Sequence, residues 1–371
     1  MNHGAAMKLF NMRDETTRRQ VFWLLKRLTS YSLWAKKRDD WEIFARAYEN
    51  AVKTWPSSQP EQMLADNLPR IYGILSAYNK GLDELRRGYR FVWRQDEAFD
   101  QALTDYHVVA KYLYPDGDYW ERGIQEAPYP PKVEALNLLM RRSEYVGEHA
   151  ACEVPASGRA TAHFTAAGAL LNPKAYVFPF YQLSFPVFPE VLPAVPQPTN
   201  VVVRSGDTVP IDGIWEPVTI TRGKVLGLIP VGATSSENVG CFNYLVQGTR
   251  APRMTGAFNE SSGHAEDIDV SWCLLWKDDR YTDGLIPDES EYFLTAPETT
   301  SYIEPDTVIP AVRTGEACPA TGHWQAKGHP EHQVHVVKGA VMPDLVIKDW
   351  SDAGKVHYVE WTLLRQDKEG R

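Results

Sequence analysis

From Glu15 to Tyr48 apolar residues return at every third or fourth position: Val21, Leu24, Leu25, Leu28, then Trp41, Phe44, Ala45 and Tyr48. Arg18, Arg19, Lys26 and Arg27 supply much of the other face, so the stretch is predicted as amphipathic helix up to the turn WPSSQP. The same period over Asp66 to Arg94 uses Ile71, Leu75, Tyr78, Leu82 and Leu85, weakened by Gly73, Gly81 and Gly88. Phe99 to Tyr114, closed by PDGD, and Val133 to Glu148 bring the expected set to about five helices. Trp23, Trp34, Trp41, Trp55, Trp93 and Trp120 all precede residue 150 and are read as helix-packing anchors.

The period disappears where prolines crowd the chain, at Pro173, Pro179, Pro186, Pro189, Pro193, Pro196 and Pro198. Proline at this density excludes helix and central strand, which predicts an extended run. Phe178, Phe180, Tyr181, Phe185 and Phe188 lie among these prolines and would be costly to expose, so the run should strap the helical half to the C-terminal half.

Beyond residue 200 the apolar spacing shortens to two, and a pattern occurs twice. SGDTVPIDGIW places Gly206, Pro210, Gly213 and Trp215 as TGEACPATGHW places Gly315, Pro319, Gly322 and Trp324. Each is followed by strand-like residues, IWEPVTI and FNYLVQ in one, HWQA and HQVHVV in the other. Then come Gly248 with Pro252, and Gly339 with Pro343. Val270, Trp272, Leu274, Leu275 and Asp278 close the first series as Val359, Trp361, Leu363, Leu364 and Asp367 close the second. The first Gly permits a positive-φ turn, the Pro fixes its exit, the second Gly allows close backbone approach, and the Trp fills the corner.

The expected architecture is α+β: an N-terminal helical domain followed by a duplicated small antiparallel β module, a pseudo-symmetric pair. The boundaries are 1–172 for the helical domain, 173–199 for the strap and 200–278 for the first module, then 279–304 for an acidic connector and 305–371 for the second module. A four-stranded sheet buries one face, so each module should pack on its twin or on the helices. The first carries an insertion, RGKVLGLIPVGATSSENVG, expected to be an exposed excursion.

A length of 371 residues allows two or three domains, and 43% hydrophobic with 23% charged residues is ordinary for a globular protein. A net charge of -9 argues against nucleic acid as a partner and suits a basic protein better. No apolar run suggests a signal peptide or a membrane span, so the expected compartment is the cytoplasm, with no membrane partner. Cys152, Cys241, Cys273 and Cys318 lie far apart and read as buried free thiols.

Catalytic patterns are weak. GKVLGLIPVGA lacks the order of a phosphate loop, and Asp267-x-Asp269 opens a strand whose carboxylates should be solvated. Glu260, His264, Glu266 and Asp267 form a polar loop cluster. The best metal candidates are His323, His329, His332 and His335, with His357 and Cys318 nearby; strand alternation places His332 and His335 on opposite faces. No cofactor or metal is assigned.

The second-series motif, with Gly315, Cys318, Pro319, Gly322 and Trp324 before Gly339, Met342 and Pro343, resembles the C-terminal signature of the families called Immunity protein 71 and Immunity protein 72. Val209 and Ala251 stand in the first series where Cys318 and Met342 stand in the second, so the motif is read as shaping corners. The resemblance implies a non-enzymatic immunity protein of polymorphic-toxin or type VI secretion loci, whose partner is a cognate toxin neutralised by protein contact in the producing cell. For toxin contact the connector acids Asp278, Asp279, Asp283, Asp288, Glu289 and Glu291 are the candidates, as stand-ins for substrate phosphates. The competing readings are a metal-dependent hydrolase or modifying enzyme using the His323 to His357 cluster, and an adaptor binding peptide or carbohydrate through Trp and Tyr.

Overall fold

In a computed structural model the described residues are 10–54, 63–111, 113, 131–154, 160–178, 182–221, 235–259, 264–294, 311–343, 345–348, 354–357 and 359–367. Trp55, Trp120, Phe180, Tyr181, Glu260, most of the insertion and residues 295–304 of the acidic connector lie outside them.

The stretch predicted as helical from Glu15 to Tyr48, with its two apolar runs, forms two helices. Helix α1 spans Glu15–Leu28, capped by Asp14, whose carboxylate accepts from Thr17 N, and it stops where Thr29 turns its hydroxyl onto Leu25 O. Helix α2, Tyr31–Thr54, is followed by α3 at Leu68–Arg86, α4 at Ala98–Ala110 and α5 at Pro131–Arg141. Trp34, Trp41, Phe44, Tyr78, Phe99 and Tyr106 pack α2 to α4 into one core, with Trp34 stacked on Phe99 at 4.0 Å. A Cβ at Gly81 would meet the Phe99 ring at 2.3 Å, so this glycine sets how closely α3 and α4 approach. A short α6, Gly168–Leu171, follows.

The first β region comprises β1 (Ala151–Cys152), β2 (Val202–Arg204), β3 (Gly213–Thr221), β4 (Ser235–Asn238) and β5 (Asn243–Leu245). It continues with β6 (Met254–Asn259), β7 (His264–Ile268) and β8 (Ser271–Lys277). Its main sheet runs β1-β5-β3-β8-β2, with β4 also on β3, while β6 and β7 form a separate hairpin. Strand β1 lies beyond the last predicted helix but inside the domain read as helical, and it joins β5 in parallel.

This sheet departs from the one-faced expectation. Gly213 to Val218 are all buried, because α1 covers one face and a tryptophan core the other. On the first face Ile214, Phe242, Tyr244 and Leu275 meet Val21, Leu24, Leu25 and Leu28, and Phe188, Leu192 and Val195 of the strap lie against the same core. Arg18, read as part of a polar face, instead reaches Glu216 of β3 at 2.6 and 3.2 Å.

The last region holds β9 (Val312–Arg313), β10 (Gly322–Ala326), β11 (His329–Val336), β12 (Leu345–Lys348), β13 (Gly354–His357) and β14 (Glu360–Gln366). Its sheet runs β11-β10-β14-β9, with β12–β13 a separate hairpin. The order matches β5-β3-β8-β2 strand for strand, and the matched corners make matched bonds. Gly206 N donates to Ala251 O and Gly315 N to Met342 O; Gly248 N donates to Val209 O and Gly339 N to Cys318 O. Ser205 Oγ and Thr314 Oγ1 donate to Pro252 O and Pro343 O.

The glycines act as their types suggest. Gly206 and Gly315 have φ of 87° and 86°, which only glycine adopts without strain. A Cβ at Gly213 would lie 2.0 Å from Trp276 O, and one at Gly322 would lie 2.3 Å from Arg365 O. Among the described residues Val312, Cys318, Trp324, Val336, Met342 and Trp361 of the second module form a core cluster separate from that of the first.

Candidate functional site

Strand β8 ends at Lys277, and the chain then turns Asp278 inward while Asp279 stays exposed. Asp278 accepts from Arg280 Nε at 2.8 Å, Arg280 Nη2 at 2.8 Å and Tyr244 OH at 2.7 Å, and Arg90 Nη2 lies 3.3 Å away. Arg280 also donates to Lys26 O at 2.9 Å and Thr29 Oγ1 at 2.9 Å, which ties the first sheet to the α1–α2 corner. Burial alone would raise the Asp278 pKa, but the bonds and charge of Arg280, then Arg90 and Tyr244, outweigh it and hold the carboxyl below its ordinary value.

Glu289 is the second inward acid. Its Oε2 accepts from Ser32 N at 2.8 Å, while Tyr281 OH accepts from Tyr31 N at 2.7 Å and donates to the other Glu289 oxygen. Tyr31 and Ser32 open α2, so these two groups satisfy helix-terminal donors and set a negative charge at the positive end of the dipole. Asp278 and Glu289 together face Arg90 and Arg280, so charge balances inside the cluster. Tyr281 holds φ at 68°, a region bulky residues avoid, and its ring is buried with Arg90 at 4.9 Å above it.

Between these anchors, residues 282–288 (TDGLIPD) are all exposed. Asp283 accepts from Leu285 N and Asp288 from Ser290 N, each at 3.0 Å, so both carboxylates stiffen the backbone two residues on while keeping their charge outside. Leu285 is 69% exposed and Ile286 39%, an aliphatic tip between two acids. Asp279 pairs with Lys277 at 2.7 Å on the surface, and Glu291 is exposed.

The six connector acids therefore divide. Asp279, Asp283, Asp288 and Glu291 face solvent, whereas Asp278 and Glu289 are buried in ion pairs and are withdrawn from any contact surface. Sequence reasoning missed Arg90, Arg280 and Tyr281. The positive-φ tyrosine carried no sequence signal, and Arg90 lies 190 positions before the carbonyl it bonds.

The histidines divide as well. His323 and His335 face each other across β10 and β11 with ring centroids 5.0 Å apart, and Asp367 Oδ2 lies 2.7 Å from His335 Nε2. His329 and His332 are a separate pair at 6.2 Å, beside Glu331. Cys318 is buried with its thiol toward Ala320 O at 3.0 Å, away from imidazole. The other three cysteines are buried and free too, with burial raising the Cys152 thiol to about 11. The side chain of His357 lies outside the described residues, as do Glu260 and the side chain of His264. Asp269 pairs with Arg253 at 2.8 Å on the surface. An open cavity of about 380 Å³ is lined by Gly88 to Phe91, Asp212 and Val246 to Gly248, far in sequence from every histidine cluster.

Comparison with known families gives two matches that succeed each other along the chain. Residues 12–175 match the family described as Immunity protein 71, and residues 194–294 match that described as Immunity protein 72. Together they cover most of the chain and place it among the immunity proteins of the polymorphic-toxin type. The Immunity protein 72 match contains the first tryptophan module and runs through the clamped loop, whereas the motif that carries the resemblance, Gly315 to Pro343, lies outside both matches. A search of curated proteins and a search of solved structures each found no match. Among the described residues no helix is long and apolar enough to cross a membrane.

Proposed function

We propose that this protein neutralises a cognate antibacterial toxin, delivered by type VI secretion or a related route, by binding it in the cytoplasm of the producing cell without chemistry of its own. The family matches supply the toxin as partner. The loop supports the surface: Asp279, Asp283, Leu285, Ile286, Asp288 and Glu291 project from a segment whose two ends are buried and bonded. A loop already held in one conformation loses little entropy on binding, and its acids around an aliphatic tip suit a basic cleft with an apolar floor. The likeness of the two modules supports reading them as copies of one unit. We take the five segments bounded at 172, 199, 278 and 304 as the working domain division.

The observation that carries the surface assignment is the exposed run 282–288 between the buried Tyr281 and Glu289. The test is co-expression with the toxin encoded beside this protein, scored by growth and by co-purification. Reversing Asp279, Asp283, Asp288 and Glu291 to Lys, or Leu285 and Ile286 to Asp, should abolish protection while the purified variants keep the wild-type melting profile. Full protection by both variants would place the contact elsewhere.

A further inference from the structure

We propose that His323, His335 and Asp367 form a binding site for a divalent transition-metal ion of the zinc class on the outer face of the second module. Register brings them together: His323 of β10 is the direct cross-strand partner of His335 of β11, and Asp367 follows β14 on the other side of β10. One ligand atom from each lies within 4.8 Å of the others. Two imidazole nitrogens and one carboxylate oxygen form a donor set that suits Zn²⁺, with a fourth position left toward solvent. All three side chains are partly exposed, so they can close the remaining distance by rotation without disturbing Trp324 beneath.

Comparison with the first module carries the inference further. The matched positions there are Ile214, Tyr244 and Asp278, by the same register. In each module the aspartate backbone N closes onto a turn carbonyl, Asp212 O at 2.9 Å or Thr321 O at 3.0 Å. In each, its carboxylate meets the residue on the next-but-one strand at 2.7 Å, Tyr244 OH or His335 Nε2. The first module covers this face with α1 and balances Asp278 with two buried arginines. The second keeps the aspartate and carries imidazoles where the first has Ile214 and Tyr244, so all three members of the trio can bind metal. Arg365, opposite His323 in β14, is exposed, so its opposing charge is screened by solvent.

The site also lies where a tie has most effect. The second module has a small core of its own and its Cys318 is unbridged, and small cores are commonly supplemented by a metal. An ion held here joins β10, β11 and the chain after β14. The proposal stands apart from the toxin reading and shares no residue with it.

The test uses the full chain, stripped with chelator and titrated with zinc chloride by calorimetry and thermal melting, with Co²⁺ absorption reporting coordination. One equivalent should bind with a micromolar or tighter Kd and raise the melting temperature of the C-terminal transition. His323→Ala, His335→Ala and Asp367→Asn should each weaken binding by more than ~100-fold, since loss of a direct ligand exceeds the effect of losing its supporting partner. His332→Ala should leave it unchanged. Binding that fails to saturate at millimolar zinc, that survives His323→Ala with His335→Ala, or that is lost with His332→Ala instead would each overturn the assignment. Hydrogen exchange on the metal-free variants separates lost binding from lost folding.

Discussion

Replacing Asp278 by alanine is the most direct test of how the helical half, the first sheet and the clamped loop are joined. The carboxylate is fully buried and accepts two side-chain bonds from Arg280 and one from Tyr244, with Arg90 at 3.3 Å. Its removal strands two buried guanidinium groups, with Glu289 3.7 Å from Arg280 as the nearest ion-pair partner left among the described residues. Breaking a buried ion pair from one side costs about 3–5 kcal/mol, against a total of about 5–15 kcal/mol for a domain of ordinary stability. The expected result in urea denaturation is a loss of about 4 kcal/mol, with the exposed Asp279→Ala within about 0.5 kcal/mol of wild type. Adding Arg280→Met to Asp278→Ala should cost less than the two single losses summed, because the second change removes a charge that the first stranded. A loss below about 1 kcal/mol for Asp278→Ala, or strict additivity in the cycle, would refute the reasoning.

Other consequences come from the same structure. The Asp278 carboxyl is held below its ordinary value of 3.8, so its contribution is complete above that pH and is lost as pH falls through the lower folded value; acid titration should bring wild type and Asp278→Asn together only below 3.8. Tyr281→Phe removes the hydroxyl between Tyr31 N and Glu289 and should cost about 2–3 kcal/mol by urea denaturation, with faster hydrogen exchange at the first turn of α2. Gly213→Ala and Gly322→Ala each drive a Cβ into a facing carbonyl and should cost about 3 kcal/mol or more by the same measurement. Trp324→Ala should cost about 3–5 kcal/mol within the second module and open β10, β11 and β14 to exchange, while α2 to α4, with a separate core, keep their protection.

The tryptophan corners were legible because each residue type there answers a local need. Gly206 and Gly315 need positive φ, Gly213 and Gly322 need room for a facing carbonyl, and a Trp two residues later needs a core, all within eleven positions. The helices were legible to their periodicity but not to their ends. Nothing in the period across Glu15 to Tyr48 marks Thr29, whose hydroxyl closes onto Leu25 O, as the break. The candidate site was half legible. Asp283 and Asp288 face outward as acids in a connector usually do, but nothing near Asp278 or Glu289 in sequence says that they alone turn inward.

By itself the sequence determined the α+β class, the helical first half, and corners whose glycine, proline and tryptophan chemistry is local; the proline run it read as extended throughout opens instead with a 3-10 turn at Pro173–Tyr176. Tertiary structure decided which charges are buried and which histidines meet. Glu289 caps a helix whose start lies 257 positions away, and His323 finds His335 through strand register, not spacing. Local conformation follows from steric preferences of adjacent residues, so it can be read along the chain. Charge burial and cross-strand pairing depend on which distant surfaces exclude water from each other, and only the folded chain fixes that.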